Sequence, residues 1–364
     1  MERYPINLNE YAELAKKILP HNIWDYIEAG RGDEISLNRN TQIYNEVFLR
    51  PNKMVNISNI KMSTTILGDK TSFPLMIAPA GGHTFCDDDG ELSTIRAAKK
   101  ENIIAGVGTN SSYTIEDIAN ETDTPLWFQI YHLTKEIDEM LVKRAEKSGY
   151  KVIVLTVDGP VPGMDHLRPK ERDIRNAFVN PPNTERVNLI GEIAGLGYKH
   201  GDTQVQLGGL NPDDQLLWKD INWFKSLTDL PIVIKGLLSA HDAKKAVEYG
   251  ADGIVVSNHG ARGVDTLMPS LQSLPEVLKA VDGKCEVYLD GGIRRGTDIL
   301  KALAFGAKAV MIGRPFYWGL AVGGENGVRD VIQILKEELE VAMKYCGITD
   351  VENINPDLLS YNFS

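Results

Sequence analysis

The chain has 364 residues, 43% of them hydrophobic, enough to bury one large core or two smaller ones, and no run reaches the roughly 18 uninterrupted apolar residues of a membrane helix. A formal net charge of -11 excludes broad binding along a nucleic-acid backbone, which calls for a basic surplus, so any anion site must be local. The start, MERYPINLNEY, carries charges where a secretory signal needs an apolar stretch, and Cys86, Cys285 and Cys346 match no metal or redox spacing. The expectation is a cytoplasmic protein with no membrane segment, metal site or disulfide.

In chain order, NLNEYAELAKKILPHNIWDYIEAG predicts two short helices broken at Pro20. Eight short β-rich apolar runs follow: SFPLMIAP, NIIAGVG, PLWFQIY, VIVLTVD, PIVIKG, GIVVSN, EVYLDGG and AVMIGR, beginning near residues 72, 102, 125, 152, 231, 253, 286 and 309. Most are trailed by a helical pattern, and most steps lie near the roughly 20 to 35 residues of a βα unit. That rhythm predicts an α/β fold, a TIM (β/α)8 barrel behind an N-terminal helical segment. The step from the fourth run to the fifth is far longer, and residues from about 159 to 212 are expected as an insertion. Such barrels keep their active sites at the C-terminal ends of the strands, so the insertion is expected to serve as an active-site loop. GENGVRDVIQILKEELEVAMKYCG predicts a long amphipathic helix at the end of a single domain spanning 1–364.

Polar chemistry collects where these runs end. LDGGIRRGTD and MIGRP set glycines, a helix start, Arg294 and Arg314 after the seventh and eighth strands, where backbone amides and guanidinium groups can grip a phosphate. Lys235 terminates the otherwise apolar run IVIKG. A lysine there asks for a ligand that becomes anionic, such as a reduced flavin or a Schiff-base substrate, unless it snorkels to solvent. His259 and Arg262 close the sixth run in SNHGARGVD.

Together SNHGARGVD, IVIKG, LTVDGP, WFQIY and LDGGIRRGTDILKALAFGAKAVMIGRP resemble the FMN-dependent α-hydroxy acid oxidases and dehydrogenases, and the resemblance extends over nearly the whole chain. It implies FMN at the C-terminal mouth and a homo-oligomer of four or more chains. It further implies that His259 is the active-site base, Asp158 its supporting carboxylate and Arg262 the holder of the substrate carboxylate, with Tyr26 and Tyr131 hydrogen-bonded to substrate. Gln129, Thr156, Lys235 and Ser257 match flavin-ring contacts, and Ala78, Pro79 and Ala80 match backbone contacts to it. Asp290 matches the ribityl contact, and Gly291, Arg294, Gly313 and Arg314 the phosphate contacts. On this view Gly260 and Ala261 are small so that the base can approach a substrate hydroxyl.

Two segments depart from the family pattern. The second carboxylate-binding arginine falls on Lys170 when aligned from DIRN, with Arg168 two residues away, so the substrate grip is expected on either. Gly108, counted among the cofactor contacts, stands where the family usually has a serine, and Asn110 where many members have a bulky aromatic. The function implied is oxidation of a 2-hydroxy acid, or a close analogue, to the 2-oxo product, with reoxidation by oxygen or another acceptor. The alternatives are a non-redox FMN barrel of isomerase type and a non-catalytic flavin or phosphate-ester binder.

Overall fold

The structure, a computed structural model, describes residues 5–159, 172 and 216–362. Every one of the eight apolar runs forms a strand: β4 (Leu75–Ile77), β5 (Ile104–Val107), β6 (Leu126–Ile130), β7 (Val152–Thr156), β8 (Ile232–Leu237), β9 (Gly253–Val256), β10 (Glu286–Asp290) and β11 (Ala309–Ile312). They close into a parallel barrel in chain order, β11 pairing with β4 through Val310 opposite Leu75 and Ile312 opposite Ile77. The closed parallel sheet buries both strand faces, which is why the runs read as continuous β-branched segments rather than as alternating ones.

Side chains nevertheless alternate between inside and outside the barrel. Met76, Ile104, Trp127, Val152, Val154, Val233, Val255, Tyr288, Ala309 and Met311 form one cluster, the packed barrel interior. Their chain neighbours Ile77, Phe128, Leu155, Ile234, Val256 and Leu289 belong to the second cluster, which the surrounding helices cover. Two residues beyond the interior layer, the period delivers Gln129 after Trp127, Thr156 after Val154, Lys235 after Val233, Ser257 after Val255 and Asp290 after Tyr288. The top of the barrel is therefore lined by polar groups while its middle is dry. The hairpin of β2 (Thr64–Ile66) and β3 (Asp69–Thr71) closes the bottom, with Ile66 buried in the interior cluster and the Leu67 amide donating to the Glu286 carboxylate.

The expected N-terminal helices are present as Leu8–Ile18 and His21–Glu28 on either side of Pro20. The first is capped by the Asn7 side chain, which accepts the Glu10 amide. A third helix, Ile35–Gln42, and the pair β1 (Val47–Leu49) with β12 (Leu359–Tyr361) were not expected. The last helix starts earlier than its amphipathic stretch suggests, at Arg314, and runs to Cys346 with a break at Gly323 and Gly324. No helix among the described residues is long and apolar enough to cross a membrane. The expected insertion lies outside the described residues except for Gly159 and Arg172.

Candidate active site

The segment after β9 carries three consecutive left-handed residues, His259 (φ 58), Gly260 (φ 61) and Ala261 (φ 63), two of them with side chains that disfavour this conformation. Such a turn persists only where its surroundings over-determine it. Asn258 supplies much of that restraint: its side chain exchanges two hydrogen bonds with Asn40 (2.9 and 2.8 Å) and accepts the Ala261 amide at 3.1 Å. The His259 amide donates to Ser257 Oγ at 3.0 Å. A Cβ on Gly260 would lie 2.8 Å from Arg314 Nη1, and Ala261 is buried. The left-handed backbone and the close approach of Arg314 give Gly260 a reason of its own to be small.

The turn aims His259 between two partners. Its Nδ1 lies 2.8 Å from Asp158 Oδ1 and its Nε2 lies 3.1 Å from the Tyr131 hydroxyl, with the Tyr131 and His259 rings stacked at 6.2 Å. Burial works to raise the Asp158 carboxyl, but the charges of His259 and Lys235 and the His259 hydrogen bond outweigh it and hold the group below its ordinary value. An ionised Asp158 accepts the Nδ1 proton, and burial raises the Tyr131 phenol so that it stays protonated and donates to Nε2. The network therefore assigns the Nδ1–H tautomer, and the bare nitrogen faces the mouth. Gly236, at φ 111, makes room for the carboxylate, since a Cβ there would overlap Asp158.

Lys235 does not snorkel. It is 4% exposed, donates to Ser257 Oγ at 3.0 Å and pairs with Asp290 Oδ2 at 3.2 Å. Burial works to lower its pKa, but Asp290 and Asp158 raise it above the ordinary lysine value, so the cation persists inside. Around it Gln129 Nε2, Thr156 Oγ1, Asp158 Oδ2 and Asp290 Oδ1 are buried without a hydrogen-bond partner. Orphaned polar atoms are rare in a folded chain, and four at the ends of β6, β7 and β10 call for a polar ligand across the mouth.

The three mouth arginines differ in what they leave free. Arg262 stacks over the Tyr26 ring at 4.7 Å and commits Nη1 to the carbonyls of Tyr26, Ile27 and Ala29, leaving its Nε–Nη2 edge for a carboxylate. Arg314 donates from Nε and Nη2 to the carbonyls of Ile27, Ala29 and Gly260, and burial brings its pKa down to about 10. Arg294 lies over the Trp318 ring at 4.7 Å, and Glu28 accepts the Trp318 indole proton at 2.7 Å. The helix start expected after the seventh strand is already satisfied: Asp298 accepts the Arg294 and Arg295 amides, both at 2.9 Å, and Glu338 accepts that of Gly296 at 2.8 Å. The helix beginning at Arg314, by contrast, has no side-chain cap, and Gly313 and Arg314 stand at its head. Gly291 opens the turn after β10 at φ 94, its carbonyl held by the Tyr44 hydroxyl at 3.0 Å.

Ala78, Pro79 and Ala80 run over the end of β4 beside Gly108, which follows β5, so the backbone groups expected at the cofactor are together. Arg168 and Lys170 lie outside the described residues. Arg172 is described, and its guanidinium forms a two-pronged ion pair with Glu34 (2.6 and 2.9 Å) close to Asp25. It was not foreseen, nor were Asn40, Thr109 and Glu91. Asp298, an acid in the first turn of the helix Gly296–Phe305, was overlooked as well, although its place has a sequence signal.

A family model described as FMN-dependent dehydrogenase matches residues 15–361. L-lactate oxidase of Nostoc sp. is 45% identical over 365 residues, covering 98% of each chain. A peroxisomal (S)-2-hydroxy-acid oxidase of Oryza sativa subsp. japonica is 44% identical over 356 residues, covering 97% of this chain and 95% of that one. A solved structure of mandelate oxidase superimposes with a TM-score of 0.87 at 34% identity, covering 99% of both chains.

Proposed function

Because this chain belongs to the FMN-dependent dehydrogenase family, we propose that it oxidises a 2-hydroxy acid, or a close analogue, to the 2-oxo product at the C-terminal mouth of the barrel. The observation that carries this is the bare His259 Nε2, oriented by Asp158 and set beside the orphaned polar atoms of Gln129, Thr156 and Asp290. Those atoms fit FMN. Gln129, Thr156 and Ser257 would bond the ring, Ala78, Pro79, Ala80 and Gly108 would offer backbone to it, and Asp290 would take the ribityl chain. The phosphate would rest on Gly291, Arg294, Gly313 and Arg314. When bound, FMN supplies the two-electron acceptor, and oxygen or another acceptor restores it.

In this mechanism His259 Nε2 accepts the substrate hydroxyl proton, and Asp158 stabilises the imidazolium that forms. Tyr131 turns its hydroxyl from the histidine to the substrate. The free edge of Arg262 and the ring of Tyr26 hold the carboxylate, assisted by Lys170 or Arg168, and Lys235 supplies positive charge to the reduced ring. A homo-oligomer of four or more cytoplasmic chains completes the proposal, supported by exposed apolar side chains of Met54, Val55, Val341 and Tyr345, with Lys53 lying 3.7 Å from the Tyr345 ring centre. Anaerobic mixing with hydroxy acids of graded size tests the activity, and bleaching by none of them overturns it. Among the variants Lys170→Ala and Arg168→Ala, the true second anchor raises KM about tenfold or more, as expected for loss of a charge-assisted bond. If neither does, the carboxylate is not gripped from this segment.

A further inference from the structure

Glu91 is 2% exposed at the first position of the helix Glu91–Glu101, on the side of the mouth away from His259. Its carboxylate accepts the Ser112 amide at 3.1 Å, and the His83 amide also bears on it. Ser112 follows β5 and His83 follows β4, so one buried carboxylate ties two consecutive loops. Thr84 and Ser112 join hydroxyls at 2.8 Å across the same seam. The loops touch backbone to backbone: a Cβ on Gly81 would lie 2.5 Å from the Asn110 carbonyl oxygen. From the far side the Tyr317 hydroxyl donates to the Gly81 carbonyl at 2.6 Å.

The β5 loop in turn fixes two residues of the mouth. The Thr109 amide donates to Gln129 Oε1 at 3.1 Å, which sets the side-chain amide so that the partnerless Nε2 is the end presented to a ligand. Thr109 Oγ1 donates to the Gln129 carbonyl at 2.6 Å and accepts the Tyr131 amide at 3.2 Å. Both Gln129 and the tyrosine bonded to His259 therefore hang from the loop that Glu91 holds. We propose that Glu91 is a positioning residue of the FMN site, acting through the loop Gly108–Ser112 to orient Gln129 and Tyr131 toward the flavin. This rests on the assignment of Gln129 to the flavin ring made above.

Glu91 is placed to make that orientation respond to pH. Burial pushes its carboxyl up to about 7 against the amides that stabilise its charged form. The groups facing it do not titrate with it: burial holds His83 neutral, with its pKa down to about 3, and raises the Cys86 thiol and the Tyr317 phenol. Farther along the packed elements the charges are paired, Arg96 with Asp89 and Glu121, Arg329 with Glu101 and Lys100 with Glu325. Asp87 accepts the Ser93 hydroxyl.

The test uses the full-length holoenzyme, reading the visible absorbance and circular dichroism of bound FMN from pH 5.5 to 8.5 and the FMN Kd by equilibrium dialysis. The wild-type flavin spectrum should show a transition with a midpoint near 7, and Glu91→Gln, fixed in the neutral shape, should abolish that transition while holding Kd within about threefold. Thr109→Val, which keeps the shape but loses both hydroxyl bonds, should raise Kd about tenfold and alter the spectrum at all pH values. Survival of the transition in Glu91→Gln, or a Thr109→Val flavin indistinguishable from wild type, overturns the proposal. Gln129→Met separates this from the assignment beneath it. If that variant leaves the flavin spectrum unchanged, Gln129 is not on the ring and both ideas fall; if it alone perturbs the flavin, the positioning role falls and the assignment stands.

Discussion

Two histidines flank the mouth, and the carboxylates in their neighbourhoods are shifted in opposite directions. On the β7–β9 side Asp158 is held ionised against His259 Nδ1 at 2.8 Å, although burial works to raise it. On the β4–β5 side burial drives both groups toward neutrality, His83 down to about 3 and Glu91 up to about 7. His83 pairs its Nδ1 with the Thr94 hydroxyl at 3.0 Å and packs on Phe316 and Tyr317, its Nε2 buried without a partner. The groups that stabilise the charged form of Glu91 are amides and a hydroxyl, whereas Asp158 has His259 and Lys235. The buried Lys235 cation stands beside the carboxylate near His259, whereas the carboxylate near His83 has no such cation.

The largest expected effect lies on the charged side. His259→Gln keeps size and polarity but removes the basic nitrogen, and it touches no group assigned to the phosphate. FMN should still bind, while anaerobic stopped-flow reduction by substrate should slow by roughly 10² to 10⁴, the usual worth of a positioned general base. A variant that bleaches at the wild-type rate would make His259 as structural as His83 and dissolve the contrast.

Lys235→Met probes the cause of the contrast. With the cation gone, Asp158 and Asp290 become buried carboxylates short of compensation, and loss of one partner of such a buried set costs roughly 3 to 5 kcal/mol. Chemical denaturation reads that loss. The Asp158 carboxyl should also rise toward the condition of Glu91, so the acid limb of flavin reduction should move to higher pH. An unmoved limb in a protein of undiminished stability would mean that the cation does not separate the two sides.

The charged side was legible mainly through the resemblance of its motifs, with Lys235 also marked by its place at the end of an apolar run. The structure supplies the reason: Gln129, Thr156, Lys235, Ser257 and Asp290 each stand two residues beyond an inward residue of the barrel interior. The strands were legible as unbroken β-branched runs bounded by glycine and proline. The neutral side left little trace. Glu91 reads as an ordinary acid in a helix's first turn, and Thr109 falls in the aperiodic stretch GTNSS, so their meaning comes only from contacts between loops. β1 and β2 are three residues long and lie in no longer apolar run of the kind that marks β4, and Asn40 meets Asn258 across 218 residues. The left-handed turn after His259 was not visible, since it is a property of backbone angles that Gly260 permits and Ala261 does not announce.

The smallest effect belongs to His83 and is one of stability. Its folded pKa of about 3 lies below the ordinary 6.5, so the folded state binds fewer protons than the unfolded one in between. The stability is fully present above 6.5 and is lost as pH falls toward 3; between pH 7 and pH 5 the loss is roughly 2 kcal/mol. His83→Gln removes the titration and keeps a donor for Thr94, so its denaturation midpoint should shift less than that of wild type over those two pH values. At pH 7 its rate of flavin reduction should stay within about threefold of wild type, because the ring touches neither His259 nor any orphaned atom of the mouth and meets the assigned cofactor contacts only at the Ala80 backbone. A tenfold slower reduction would draw His83 into the reaction, and the division of the mouth into a charged working side and a neutral supporting side would fail.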